Sequence, residues 1–288
     1  MNARTDLAIE KDEFISGKRP RGIRRETVKT EKTEITEITV GDPESARAIG
    51  KPQGKYITVE LTEFSYDAEL LDDRMRSISK QISSLLPDGD GTVLVAGIGN
   101  KDITPDALGP KCAEGIFSTR HISSELAEEL GLAHLKPVCS LATGVLGQTG
   151  IETAEIIKSV VDFVKPKAVI LIDALAAAGL ERLGRTVQIT DTGITPGSGV
   201  GNRRAEISEK TLGVPVIAIG VPTVVDAVTL AKDVTGRETA KESAQARNMM
   251  VTPREIDVMI DRAAKLLALA INCALQPETD PELLLSVV

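Results

Sequence analysis

The sequence has no tryptophan, only two tyrosines (Tyr56 and Tyr66) and four phenylalanines among 288 residues. Its core must therefore be aliphatic, and a site that stacks bases or sugars on aromatic rings is not provided for, which argues against most nucleic-acid modules. Cysteine is equally scarce. Cys112, Cys139 and Cys273 lie far apart with no C-x-x-C spacing, so neither a disulfide framework nor a structural zinc site is expected, and the three read as small buried hydrophobes. His121 and His134 are the only histidines, each alone in its segment, and there is no nucleophile elbow. A Ser-His-Asp or Cys-His device has little to be built from, and histidine-ligated zinc less. No stretch reaches about 18 consecutive apolar residues, and Met1 to Glu13 lacks the apolar run of a secretory signal. The expectation is a protein made and kept inside the cell, off the membrane.

What is present is the composition of an ordinary globular chain, 42% hydrophobic and 26% charged, long enough for one large α/β domain or two modest ones. The net charge of -8 and a pI near 5.1 mean repulsion from phosphate backbones and anionic membrane surfaces. One segment opposes this balance: Lys18, Arg19, Arg21, Arg24, Arg25, Lys29 and Lys32 stand among few acids. It reads as a solvated or subunit-contacting N-terminal stretch in preference to a nucleic-acid contact.

Residues 1 to about 65 are polar, with a Thr/Glu alternation from Thr27 to Val40 that reads as a β-ribbon and a short strand from Lys55 to Leu61. Apolar residues at helical spacing predict an amphipathic helix from Tyr66 to Leu86, stopped by Pro87-Asp88-Gly89. Beyond it, short apolar runs alternate with helical patterns, as a parallel sheet covered by helices requires. Strands are expected at Thr92–Ala96, Ala168–Ile172 and Val214–Ile219. Helices are expected over Leu108–Thr119, Glu152–Val164, Pro222–Val234 and Pro253–Leu275. With no linker or repeat between Gly91 and Leu275, the reading is a single α/β domain with a mostly parallel central sheet flanked by helices, plus an N-terminal β-rich extension over residues 7–65.

Loops leaving the carboxyl ends of parallel strands converge on a crevice. Three fit here: Gly97–Pro110, Asp173–Ala178 and Gly220–Asp226. The first carries Asp102 and Asp106; the second opens with Asp173 directly after Ala-Val-Ile-Leu-Ile. An acid ending a buried strand costs desolvation energy, so it has a partner or a task. Asp106 reads equally as a helix N-cap, Asp102 as a loop acid, and Asp173 as a functional group before a cap. Gly97-Ile98-Gly99 lacks the third glycine of a dinucleotide fingerprint, and Asp191 to Asn202 is either an anion nest or a structured loop.

The strings Gly97-Ile98-Gly99-Asn100, Thr104-Pro105-Asp106-Ala107-Leu108-Gly109-Pro110, Ile172-Asp173-Ala174-Leu175-Ala176, Pro196-Gly197-Ser198-Gly199-Val200-Gly201-Asn202 and Gly220-Val221-Pro222-Thr223-Val224-Val225-Asp226 closely resemble the germination proteases of spore-forming bacteria. Arg4 to Glu10 and Met250 to Pro253 match that family too. The resemblance implies an endopeptidase that degrades small acid-soluble spore proteins during germination. It further implies a self-processing zymogen, a homotetramer, a location in the forespore and spore core, no cofactor, and a fold similar to hydrogenase-maturation peptidases. It assigns catalysis to two aspartates, which by motif are Asp106 and Asp173. Two carboxylates close enough to repel do not both ionise easily, so one can act as base toward water while the other donates a proton; which one starts protonated stays open.

By the same resemblance, processing falls between Asp6 and Leu7, making residues 1–6 a prosegment and 7–288 the peptidase domain. An acid before the cut calls for a positive pocket, for which Arg203 and Arg204 beside the Gly-rich loop are candidates. The chain departs from the pattern in two places: Lys101-Asp102 adds a charge pair near the active loop, and Ala178 stands where an arginine is expected after Ala-Leu-Ala-Ala. Two other readings remain: a peptidase in which the same aspartates, with Asp102, hold a divalent ion, and a non-enzymatic α/β module that binds a nucleotide in the Gly-rich crevice.

Overall fold

The computed structural model describes residues 5–15, 20–129, 131–199, 201, 204–236 and 249–288. The chain opens with a short helix α1 (Ala8–Glu13), a hairpin of β1 (Ile23–Lys29) and β2 (Thr33–Val40), helix α2 (Pro43–Ile49) and strand β3 (Gly54–Leu61). Helix α3 (Asp73–Leu85) leads into β4 (Val93–Gly97), α4 (Leu108–Glu114), α5 (Ser124–Glu129), β5 (Val138–Ala142), α6 (Leu146–Thr149) and α7 (Thr153–Val164). Next come β6 (Ala168–Ala177), β7 (Thr186–Thr190), α8 (Glu209–Leu212), β8 (Val216–Asp226), α9 (Ala227–Thr235), the two-residue β9 (Met250–Val251), α10 (Ile256–Leu275) and α11 (Pro281–Leu285).

The strands form one sheet in the order β1-β2-β3-β7-β8-β6-β4-β5, with β9 added to the end of β8. One side of it, β8-β6-β4-β5, is parallel, and β4, β6 and β8 carry continuous apolar runs because helices cover both faces. The two faces separate residue by residue. Val93, Val95, Ile170, Ile172, Ile217 and Ile219 join the cluster under α3, α4 and α10, whereas Leu94, Ala96, Val169, Leu171, Val216 and Ala218 join the one under α7 and α8. The N-terminal extension is β-rich as expected, and it continues this same sheet antiparallel through β7, a strand the sequence reading did not identify.

Three boundaries differ from the sequence reading, each for a local reason. Helix α3 starts at Asp73, well after Tyr66, because the Asp72 carboxylate accepts from Arg74 N (2.9 Å) and Met75 N (3.5 Å) as an N-cap; Leu70 and Leu71 still reach the core from the irregular segment before it. Helix α4 stops at Glu114 where the buried Asn272 of α10 donates to Gly115 O (2.9 Å) and accepts from Phe117 N (2.9 Å). Most consequential for the site, two of the three expected crevice loops are strand. Strands β6 and β8 keep pairing beyond the end of β4, from Asp173↔Gly220 to Ala177↔Val225, with an irregularity between Leu175 and Ala176, whereas β4 leaves β6 at Gly97↔Ile172. The segment Asp173–Ala177 therefore has one uncovered edge.

Candidate functional site

The loop from Gly97 to Pro110 is drawn tightly over the ends of β4 and β6 by glycines that no other residue could replace. A Cβ on Gly109 would lie 2.2 Å from Ile98 O and 2.5 Å from Ile172 O, and one on Gly97 would lie 2.0 Å from Gly109 O. Gly99 has φ +126° and would meet Asp106 O at 2.1 Å. The single turn Thr104–Asp106 that follows is pinned from β8, where the fully buried Thr223 hydroxyl donates to Pro105 O (2.8 Å). Asp106 thus sits at the mouth of the crevice, half-buried, its carboxylate accepting from Asn100 N (2.6 Å). It caps no helix, since α4 carries no side-chain cap.

Asp173 follows Ile172 on the same β6 edge, is 7% exposed, and accepts from Ala174 N (2.9 Å). Its carboxyl is held well above the ordinary carboxylate range, first by burial, then by the charges of Asp106 and of Asp6. Asp106 is raised too, by burial, with the Asn100 N–H working against it. The two aspartates singled out by motif are thus brought together. Asp102 is not part of the pair: it is exposed, its N–H donates to Asn100 Oδ1 (3.0 Å), and its carboxylate accepts from Gln148 Nε2 (3.4 Å). Among the described residues, no three His, Cys, Asp or Glu side chains converge in the way a metal ion would need. His121 and His134 are exposed, and Asp226, in the third motif, caps α9 by accepting from Val228 N and Thr229 N (both 3.0 Å). Cys112 is buried, whereas Cys139 and Cys273 are only partly so.

The second charge acting on Asp173, that of Asp6, comes from the chain's own N-terminal segment. Thr5, Asp6 and Asp173 line one cavity of about 350 Å³ with Lys51, Gln188 and Ser198. Asp6 pairs with the uncovered edge of β6: its N–H donates to Ala176 O (2.9 Å), while its carboxylate accepts from Ala176 N (3.0 Å) and from the Ser198 hydroxyl (2.7 Å). The Asp6 carbonyl accepts from Lys51 Nζ (2.7 Å) and Gln188 Nε2 (3.1 Å). Gln188 also accepts from Ala8 N through its Oε1 (2.6 Å), so one carboxamide grips the backbone on both sides of the Asp6–Leu7 bond. Leu7 is fully buried among Ile38, Tyr56, Leu175 and Val225.

The Gly-rich loop therefore contacts an anion after all, the carboxylate of Asp6, and does so through Ser198 and the bare backbone of Gly199, whose Cβ would lie 2.1 Å from Asp6 Oδ2. The expected arginine pocket is not what surrounds it. Arg204 turns to Glu152 (3.7 Å), and Arg203 lies outside the described residues. The cation that acts on Asp6 is Lys51, whose own ammonium is lowered to about 8 by burial. Nor does Ala178 leave a carboxylate unheld. Its N–H and that of Gly179 donate to the buried Glu10 (2.8 and 3.0 Å), and Arg182 lies 4.0 Å from Glu10, 2.9 Å from Glu13 and 2.6 Å from Glu60.

Lys51, Gln188 and Ser198 escaped the sequence reading. Gln188 left a faint signal, as a polar residue between apolar β-branched ones in Thr-Val-Gln-Ile-Thr. Lys51 precedes a proline in a polar turn and left none.

Comparison with known proteins agrees with the motifs. A family model described as "Germination protease" matches residues 3–237. A germination protease of Clostridium tetani is 41% identical, with 98% of each chain covered. That of Caldanaerobacter subterraneus subsp. tengcongensis is 43% identical over 96% of this chain and 95% of its own, and that of Priestia megaterium 36% identical over 98% and 95%. Among solved structures, a NiFe hydrogenase maturation protease, HycI from Thermococcus kodakarensis KOD1, aligns with 66% of this chain and 98% of its own, at 20% identity and a TM-score of 0.36. No described helix is long and apolar enough to cross a membrane. Matched by the family model over most of its length and by relatives over nearly all of theirs, the chain belongs to the germination protease family and is a peptidase of spore germination.

Proposed function

We propose that the chain is an aspartate-dependent endopeptidase that cuts its own Asp6–Leu7 bond and then initiates the breakdown of small acid-soluble spore proteins. The observation that carries this reading is the docking of Asp6 beside Asp173, with the backbone at the expected cut laid along the β6 edge and its carbonyl gripped from two sides. In this reading Asp173, the more strongly raised of the two, holds the proton at neutral pH, and Asp106 is the ionised member. Asp106 takes a proton from water as it attacks the Asp6 carbonyl carbon. Asp173 gives its proton to the Leu7 nitrogen as the C–N bond breaks and takes back the proton of the new carboxyl group, leaving a carboxylate on Asp6 and an amine on Leu7.

Residues 1–6 act in this scheme as a prosegment, because the crevice that Thr5 and Asp6 occupy is the one a second substrate needs; residues 1–4 lie outside the described residues. A full chain then shows a lag before it cleaves a spore protein, and a chain starting at Leu7 shows none; equal rates from time zero would remove the zymogen from the scheme. The central test is Asp106→Asn and Asp173→Asn in the full chain, followed by intact-mass spectrometry with a small acid-soluble spore protein added. Both variants are expected to fold and to leave both proteins uncut, and full activity in either refutes the pair. Sustained cleavage after dialysis against a chelator separates this scheme from one that needs a divalent ion. The homotetramer and the forespore and spore-core location come from the family resemblance; light scattering at four times the chain mass tests the first.

A further inference from the structure

We propose that Lys51 and Gln188 form the oxyanion-stabilising pair of this peptidase, holding the charge that develops on the carbonyl oxygen of the cleaved bond. The inference rests on the reading of Asp6–Leu7 as the bond that is cut. When water adds to the Asp6 carbonyl carbon and its proton passes to Asp106, the carbonyl π electrons move onto the oxygen. That oxygen already accepts from two donors, Lys51 Nζ at 2.7 Å and Gln188 Nε2 at 3.1 Å. The charge returns to the carbon when the C–N bond breaks. Donors fixed in place before the reaction cost no reorganisation during it, which is why such groups act mainly on the transition state.

Three features distinguish this pair from a simple anchor. Gln188 is 6% exposed and is fixed at its other end by Ala8 N (2.6 Å), so its Nε2 is oriented before any charge forms. Lys51 hydrogen-bonds a neutral carbonyl inside a crevice, where desolvation of the cation outweighs the pull of the Asp6 carboxylate and a further gain comes when the carbonyl oxygen becomes anionic. The main-chain hydrogen bond of Asp6 to Ala176 O and its carboxylate contacts already secure the ground state without either residue.

The test is the first-order rate of Asp6–Leu7 cleavage in the full chain, read by intact mass. Lys51→Met is expected to slow it about 10²- to 10³-fold, the usual cost of one such donor. Docking is read separately by hydrogen exchange of the Asp6 and Ala8 amides in an Asp106→Asn chain with and without Lys51→Met, and protection is expected to agree within about threefold. A Lys51→Met chain that cuts within about threefold of the wild-type rate overturns the proposal, and so does a loss of protection that matches the loss of rate, because Lys51 would then be a tether. If Lys51→Met does not fold, Gln188→Glu decides by the same two readouts, since it keeps the acceptor facing Ala8 and removes only the donor facing the Asp6 carbonyl.

The pH profile is a third readout. The charged groups around the Lys51 ammonium are the Asp6 carboxylate, Lys11 of α1, and Asp173 and Glu206 across the cavity. Burial brings the ammonium to about 8, so the wild-type rate falls as pH rises through that value. Loss of the Asp173 proton, which the scheme also needs, gives a falling limb of its own, so Lys51→Met is expected to shift the falling limb, and a profile unchanged in that variant counts against the pair. Cleavage in Asp106→Asn or Asp173→Asn would overturn the acid–base assignment alone, leaving Lys51 to stand or fall on its own rate. A wild-type chain that never cuts this bond overturns both.

Discussion

Replacing Gly199 by alanine tests whether the Asp6 carboxylate is what presents the cut bond to the aspartates. The new Cβ would stand 2.1 Å from Asp6 Oδ2, 2.6 Å from its Cγ and 2.8 Å from the Ala176 Cβ. The β6 backbone is held on both sides, by β8 and by Asp6 itself, so the Asp6 side chain must move. Moving it breaks the bonds from Ala176 N and the Ser198 hydroxyl. Losing one hydrogen bond to a charged group costs about 1.5–3 kcal/mol, which corresponds to a loss of about 10- to 150-fold in a rate that depends on docking. The assay is the time course of intact mass for the full chain at neutral pH, with the melting temperature of an Asp106→Asn chain as the measure of folding. Gly147→Ala is the control, because a Cβ there meets nothing within 4 Å. A Gly199→Ala chain that processes itself as fast as Gly147→Ala refutes the idea that this carboxylate aligns the bond.

Gly109→Ala is expected to push α4 away from Ile98 O and Ile172 O, costing about 1–3 kcal/mol as overpacking does and displacing the turn that carries Asp106; lowered melting with cleavage lost by at least tenfold is the expected pair of results. Thr223→Val removes the donor to Pro105 O and leaves a carbonyl without its partner, for about 1–3 kcal/mol, so melting falls by several degrees and the cleavage rate drops with it. Asp173→Asn makes a pH-dependent prediction. A carboxyl held well above its ordinary value stabilises the fold fully only below its unfolded value, and that contribution is lost as pH rises through the folded value. The asparagine chain should therefore melt higher than wild type at pH 8, by a margin that shrinks as pH falls towards the unfolded value, and a constant difference across that range would refute the shifted carboxyl.

The aliphatic runs of β4, β6 and β8 announced the parallel side of the sheet because strands buried on both faces carry no polar interruptions. Asp173 stood out for the same reason in reverse, as the first charge after such a run. The glycines of Gly97-Ile98-Gly99 and Leu108-Gly109-Pro110 were visible as residues, but their purpose was not. They bring three backbones within contact distance, and nothing in the spacing says which three. The polar half of the site was hidden for a different reason. Lys51, Gln188 and Ser198 come from a turn before β3, from a strand that pairs antiparallel in the middle of the sheet, and from the Gly-rich loop. Lys51 lies more than a hundred residues from the other two, and Gln188 and Ser198, a strand residue and a loop residue, share no pattern that the sequence shows. Charge was sought beside the glycines in sequence; among the described residues the cation at Asp6 is Lys51, Arg204 turns to Glu152, and Arg203 lies outside them.

The same topology explains how the chain's own N-terminal segment comes to lie beside the buried aspartate. A strand in the interior of a sheet normally has both edges occupied, and an exposed edge invites pairing with whatever extended segment is near. Strand β6 is interior up to Ile172 and becomes an edge from Asp173 onward, because β4 ends there while β8 continues to Ala177↔Val225. The transition falls at the buried aspartate. An extended segment that pairs with this edge is therefore brought past Asp173, as Asp6 is by one main-chain hydrogen bond to Ala176 O and by its carboxylate on Ala176 N. In the scheme proposed above, selectivity depends on what flanks the carbonyl: an acid short enough to reach Ser198 and Ala176 N before it, and an apolar residue such as Leu7 to fill the cluster of Ile38, Tyr56, Leu175 and Val225 after it. Recognition of this kind needs no aromatic platform, and the near absence of aromatic residues follows from a site that reads backbone first and one side chain on each side of the bond second.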